Sequence, residues 1–183
     1  AEHFMNHRPR GVLGVVPGEI TTTDAGYSTH IDPEQDILKI AVVERHKNTG
    51  HIGIGYLKGY GLREGAVATS VSHDSHNIIC VGANDTDMAF AANRIAENHG
   101  GIVVVKDGQV VAKLQLEIAG LMTNQNLVSV NRQLEDAKEA AYTLGIRKSI
   151  DPFMTLSFMS LPVIPTLRLT TRGVVDVMTQ QYI

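Results

Sequence analysis

Cysteine is nearly absent from this 183-residue chain; Cys80 is the only one. No intrachain disulfide is possible, and the apolar run around Cys80 predicts a buried thiol in a reducing, cytoplasmic setting. Polybasic clusters and long apolar runs are also missing, so no membrane anchor or span is predicted. Charged residues make up 19% and the net charge is −3, which leaves no basic surface for nucleic acid. Residues 1–10 show neither an initiator methionine nor a signal-peptide pattern, which predicts added residues or a fragment of a longer chain. The three glycines of residues 58–65 do not match a phosphate-binding loop or a dinucleotide fingerprint. No internal repeat and no low-complexity segment occurs.

What is present is enough apolar residue, 43%, for a real core in one domain of ordinary size, or one domain with an appendage. Residues 11–16 read as a short buried strand stopped by Pro17-Gly18. Residues 19–23 suggest another short strand. Residues 24–33, rich in Gly, Ser, Thr and Asp, read as a linker or long loop and as the best internal boundary, dividing the chain into residues 1–30 and 31–183. Residues 37–43 and 51–57 read as a hairpin with a charged tip at 44–50. Two more strands flank the segment Ser72-His-Asp-Ser-His-Asn77. Asn84-Asp85-Thr86-Asp87 opens a helix, with Met88, Ala91, Ala92 and Ile95 on one apolar face. Asp107-Gly108 marks a second hairpin. Asn126 begins a second helix whose apolar stripe is Leu127, Val130, Leu134, Ala137, Ala141 and Leu144. Residues 151–165, apolar and broken by prolines, cannot be a regular central strand throughout, although Leu156, Phe158, Met159 and Leu161 read as core. Residues 166–177 read as a final wrap or edge strand. Together these predict an α+β fold: a mixed, largely antiparallel sheet covered by helices 85–98 and 126–144.

The chemistry-bearing residues are concentrated at 73–77. In a strand, His73 and His76 would face opposite ways. In a tight turn, favoured by Asp74 and Ser75, both imidazoles reach one ligand. A hairpin turn with solvated histidines is the competing structural explanation. Glu44-Arg45-His46, at a strand terminus, is the second polar cluster. His3, His7, His30, His51 and His99 read as solvent-facing or structural.

Residues 36–46 (DILKIAVVERH), 52–82 (IGIGYLKGYGLREGAVATSVSHDSHNIICVG) and 151–177 (DPFMTLSFMSLPVIPTLRLTTRGVVDV) resemble the C-terminal domain of bacterial adenine deaminases. GVLGVVPGEI, DMAFAANRI, GGIVVV and EIAGLM fall in the expected order before and between them. The resemblance implies a parent of the amidohydrolase superfamily that hydrolyses adenine to hypoxanthine and ammonia. It also implies a Mn- or Fe-dependent barrel as partner domain and a homo-oligomer, with residues 11–23 matching the end of a small β-domain. No His-x-His pair occurs, and a barrel of about 250 residues does not fit in this length. The metal is therefore expected outside this chain, whose own metal ligands are expected to be none. Catalytic roles are expected for His73, Asp74 and His76, and substrate contacts for Ser75, Asn77, Glu44, Arg45 and His46. The other readings are a non-catalytic purine-binding or subunit-assembly module, and a small metallohydrolase built on His46, His73 and His76.

Overall fold

A computed structural model describes residues 2–5 and 8–183. An eight-stranded sheet, its central strands buried on both faces, is formed by β1 (Arg10–Val15), β2 (Thr22–Ser28), β3 (Ile37–Val43), β4 (Ile52–Lys58), β5 (Ala66–Thr69), β6 (Ile78–Gly82), β7 (Gly101–Lys106) and β8 (Gln109–Gln115). Its order is β2-β1-β4-β3-β6-β5-β7-β8. Every neighbouring pair is antiparallel except β1 with β4, so the sheet is mixed and mostly antiparallel, as expected.

Strand alternation sends two sets of side chains to two faces. On one face Ala41, Ala66, Ala68, Cys80 and Val103 pack beneath α1 (Asp85–Glu97). Small residues here let the helix lie close to the sheet. Burial pushes the Cys80 thiol up to about 12. On the other face Leu38, Ile40, Val67, Ile79 and Val104 meet α2 (Leu127–Thr143), α3 (Pro152–Phe158) and a second sheet. The α1 helix is capped by Asn84, whose side chain accepts from the Asp87 N–H, and α2 by Asn126, which accepts from Ser129.

Three expectations are corrected. The first half of the linker placed at 24–33 is strand: β2 pairs with β1 along residues 22–28. It is an outermost strand with a mostly exposed face, so its register comes from backbone pairing rather than apolar alternation. Residues 151–165 are, as expected, not a regular strand: 152–158 form a helix, because Asp151 accepts from the Phe153 and Met154 N–H groups and Pro152 suits the first helical position, but the core expected there is smaller. Leu156 and Met159 are buried there, whereas Phe158 and Leu161 are half-buried. The tail is a three-stranded sheet of β9 (Leu167–Thr170), β10 (Gly173–Asp176) and β11 (Gln181–Tyr182), not a single edge strand.

The apolar stripe of α2 is only half used. Ala137, Ala141 and Leu144 are buried, Val130 and Leu134 are partly covered, and Leu127 is 81% exposed, because the first turns of the helix find no cover among the described residues. The small sheet seats directly on β4, where Gly53 and Gly55 leave one face bare of side chains. Arg168 in β9 is fully buried and donates through Nη2 to the Ile20 and Pro165 carbonyls; burial pushes its pKa down to about 10. His3, His30, His51 and His99 are exposed, and His7 lies outside the described residues.

Candidate functional site

The two polar clusters meet because β3 and β6 are antiparallel neighbours. Val43 at the end of β3 is paired with Ile78 at the start of β6. Glu44-Arg45-His46 therefore leaves the sheet beside the arriving Ser75-His76-Asn77, although 28 residues lie between His46 and Ser75 in sequence. His46 Nε2 lies 2.6 Å from the Ser75 carbonyl, which can only accept, so the ring proton sits on Nε2. Asn77, nearly buried, accepts from the Arg45 main-chain N–H and donates through Nδ2 to Ser75 Oγ, 3.0 Å away.

The His segment is a turn. The His76 N–H donates to the Ser72 carbonyl at 2.7 Å, and the Ser72 N–H donates back to His76 Nδ1 at 3.2 Å. With Nδ1 accepting, a neutral His76 ring carries its proton on Nε2, which becomes the donor left for a ligand. Burial lowers the His76 pKa, and the neighbouring His73 and Arg45 lower it further against an opposing contribution from Asp74. The two imidazole centroids are 5.5 Å apart, and the His73 ring stacks on Phe158 at 4.9 Å. Asp74 points outward, its side chain 84% exposed and 4.0 Å from His73 Nδ1.

Residues far along the sequence hold this turn from below. The His73 N–H donates to the Ser157 carbonyl at 2.9 Å. Ser160 Oγ donates to the His73 carbonyl at 2.9 Å and so accepts from Ser72 Oγ at 2.6 Å. Ser72 and Ser160 are both buried. Sequence reasoning missed Ser157 and Ser160; the only available signal was hydroxyl residues in an apolar run, which does not reveal a partner 88 positions away.

Glu44 turns inward on its own loop. Its Oε1 accepts from the His46 and Lys47 N–H groups and its Oε2 from the Thr49 N–H and hydroxyl. Led by the Thr49 N–H, these donors pull its pKa from 4.5 to about 2. A depressed carboxylate contributes order that is complete above pH 4.5 and disappears as pH falls through about 2. The amide protons of His46, Lys47 and Thr49 should therefore titrate together near pH 2 in a proton NMR series. A midpoint near 4.5 would show that Glu44 does not staple the turn.

Two clefts flank the site. One of about 680 Å³, on the α1 face, is bordered by Glu44, Arg45, Asn93 and Glu117. The other, about 300 Å³ and mostly apolar, lies between α2 and α3, with His73, Leu134 and Met154 on its walls. No three His, Cys, Asp or Glu side chains converge as a metal site among the described residues. His76 Nδ1 accepts from the Ser72 N–H, so a neutral His76 ring has no free lone pair to give a metal.

Residues 18–181 match the family model described as the adenine deaminase C-terminal domain. The chain belongs to this family. The adenine deaminase of Brucella anthropi is 46% identical over 187 residues, covering 97% of this chain and 33% of the relative. That of Ligilactobacillus salivarius is 44% identical over 184 residues, covering 96% and 32%. The Desulfatibacillum aliphaticivorans adenine deaminase is 53% identical over 146 residues, covering 80% and 26%. The chain spans about a third of the length of these curated relatives. As an adenine deaminase C-terminal domain it carries the two clusters on one sheet end, and among its described residues no helix is long and apolar enough to cross a membrane.

Proposed function

We propose that this domain completes the active site of an adenine deaminase, presenting the 72–77 turn and the 44–46 cluster to adenine held by a metal-dependent barrel elsewhere in the parent polypeptide. The supporting observation is the convergence of His46, His73 and His76 at one sheet end, on a turn anchored by buried Ser72 and Ser160. Mn or Fe, bound by the barrel, would supply the hydroxide that attacks the ring. This chain would supply donors and acceptors for the purine edge, where an unmatched polar group is costly. The neutral His76 offers Nε2–H to a ring nitrogen, and Ser75 Oγ retains its own proton while accepting from Asn77. His73, held by its backbone and stacked on Phe158, stands beside them, with Asp74 as the exposed carboxylate. The partner domain, adenine and a cytoplasmic setting all belong to this proposal.

In a full-length protein carrying this domain, His73→Ala and His76→Ala should each lower kcat/KM at least about tenfold, roughly 1.4 kcal/mol, with mass and metal content unchanged. Unchanged kinetics for both variants would remove the proposal. The 183-residue chain alone, supplied with Mn²⁺ or Fe²⁺, should release no ammonia from adenine above buffer.

The second reading, a subunit-assembly module, is favoured by one observation: Leu127 and Val128, in the first turn of α2, are both exposed apolar side chains. Substitutions there would alter the mass in solution rather than turnover.

A further inference from the structure

We infer that Arg45 is the positioning residue of this site: its guanidinium, fastened to the Ala119 carbonyl, grips the His76 carbonyl and so sets the direction of the His76 ring. This rests on the function proposed above and deepens it, replacing a direct substrate contact at Arg45 with a role exerted through His76.

Arg45 leaves β3 with its main-chain N–H bonded to Asn77 Oδ1, which brings its side chain under the His turn. Nε donates to the His76 carbonyl at 2.5 Å and Nη2 to the Ala119 carbonyl at 2.8 Å. Only a planar fork with fixed donor angles spans two carbonyls in this way; a lysine ammonium is a point charge on a flexible stem. The far anchor is itself tied to the sheet. Ser70, fully buried just beyond β5, donates from Oγ to the Gly120 carbonyl at 2.6 Å and accepts from the Gly101 N–H at 2.8 Å. Ile118 and Met122 close the loop on each other through a pair of backbone hydrogen bonds. Gly120 has a φ of +75°, and a Cβ built there would stand 2.7 Å from Arg45 Nη2, so the loop is shaped around the guanidinium. A continuous path therefore runs from the sheet interior at Ser70, through Gly120 and Ala119, to Arg45 and His76.

The near end of the path needs such a grip. His76 has a φ of 50°, in the left-handed region that non-glycine residues rarely adopt. Its N–H is held by Ser72 and its carbonyl by Arg45. Releasing the carbonyl frees the residue to leave that conformation, which breaks the Ser72 N–H contact to Nδ1 and the single tautomer with it. The titratable and charged groups facing His76 are His73, Asp74, His46 and Arg45. Arg45 therefore contributes position through its bonds and positive charge through its proximity.

Two variants separate these contributions. In Arg45→Gln both the fork and the charge are lost; in Arg45→Lys the charge stays and the fork is lost. On the 183-residue chain, nitrogen-15 NMR of the histidine rings should show His76 losing its pure Nε2–H pattern in both variants. Its apparent pKa should rise in both, and further in Arg45→Gln, where the charge is lost as well. A wild-type ring pattern in Arg45→Gln overturns the inference. In a full-length adenine deaminase carrying the domain, both variants should lower kcat at least about tenfold while KM stays within about threefold, and lysine should not rescue. If the NMR changes appear and His76→Ala lowers kcat but Arg45→Gln does not, the positioning role is overturned. If His73→Ala, His76→Ala and Arg45→Gln all leave kcat unchanged, the proposed function falls while the clamp stands.

Discussion

Gly53→Ala is expected to unseat the small sheet and cost about 3 kcal/mol or more, at or beyond the upper end for overpacked cores. The added Cβ would lie 1.8 Å from the Thr170 carbonyl oxygen and 2.9 Å from the Gly173 nitrogen. Both groups belong to backbone in paired strands, so no side-chain rotation relieves the clash. β4 is hydrogen-bonded on both sides, to β1 and β3, and cannot shift without moving its neighbours. The residue must then push β9 and β10 off the face they cover. Against a typical domain stability of about 5–15 kcal/mol, this is a large fraction. Gly55→Ala is the graded companion: its Cβ would meet Val174 Cγ2 at 2.7 Å, side chain rather than backbone and less deeply overlapped, so a smaller loss is expected. Urea unfolding midpoints of the two variants check the order. A Gly53→Ala midpoint within about 1 kcal/mol of the parent would mean the sheets do not touch backbone to backbone.

The second large effect is expected at Asp36, and Asp36→Ala should cost about 3 kcal/mol. This nearly buried carboxylate accepts from the Gly61 N–H at 2.7 Å, the Gly59 N–H at 3.1 Å and Arg147 Nη2 at 2.7 Å. Removing it leaves two backbone N–H groups without their acceptor in the segment that joins β4 to β5, and such orphaned donors are the expensive part of a lost hydrogen bond. Asp36 also has a φ of 57°, which Asn tolerates better than Ala. Asp36→Asn keeps one carbonyl oxygen but turns an NH₂ toward a donor, so an intermediate loss is expected. Arg147→Ala should cost least, because that side chain is 51% exposed and its ion pair is only half out of water. Chemical denaturation of the three variants tests this ranking; equal losses for Asp36→Ala and Arg147→Ala would mean the ion pair, not the backbone bonds, is what matters.

Features written in local sequence were legible. Asp107-Gly108 turns β7 into β8 with both residues at positive φ, and Asn84 caps α1 where the sequence placed it. The turn at 73–76 follows from Asp74 and Ser75. Features that depend on distant partners were not. The meeting of Arg45 with His76 needs the β3–β6 pairing, and the Ser72–Ser160 bond joins segments that share no pattern. The Ile-Gly-Ile-Gly alternation of β4 did predict a strand. The same glycine spacing also encodes a bare face for another backbone to approach. The strand at 24–28 is hidden in the sequence because an outermost strand needs no apolar face, and the helical form of α3 because two downstream prolines obscure a well-capped start at Asp151-Pro152.

The manner in which the 73–77 turn is fastened has a thermodynamic consequence for any molecule that binds it. Ordering one backbone residue costs about 1–2 kcal/mol of conformational entropy. Here that loss is incurred on folding, since Ser72, His73, Ser75, His76 and Asn77 are each already tied to a partner through backbone or side chain. A ligand arriving at this end of the sheet meets a preorganised surface and has little left to freeze beyond the torsions of the exposed Asp74 side chain.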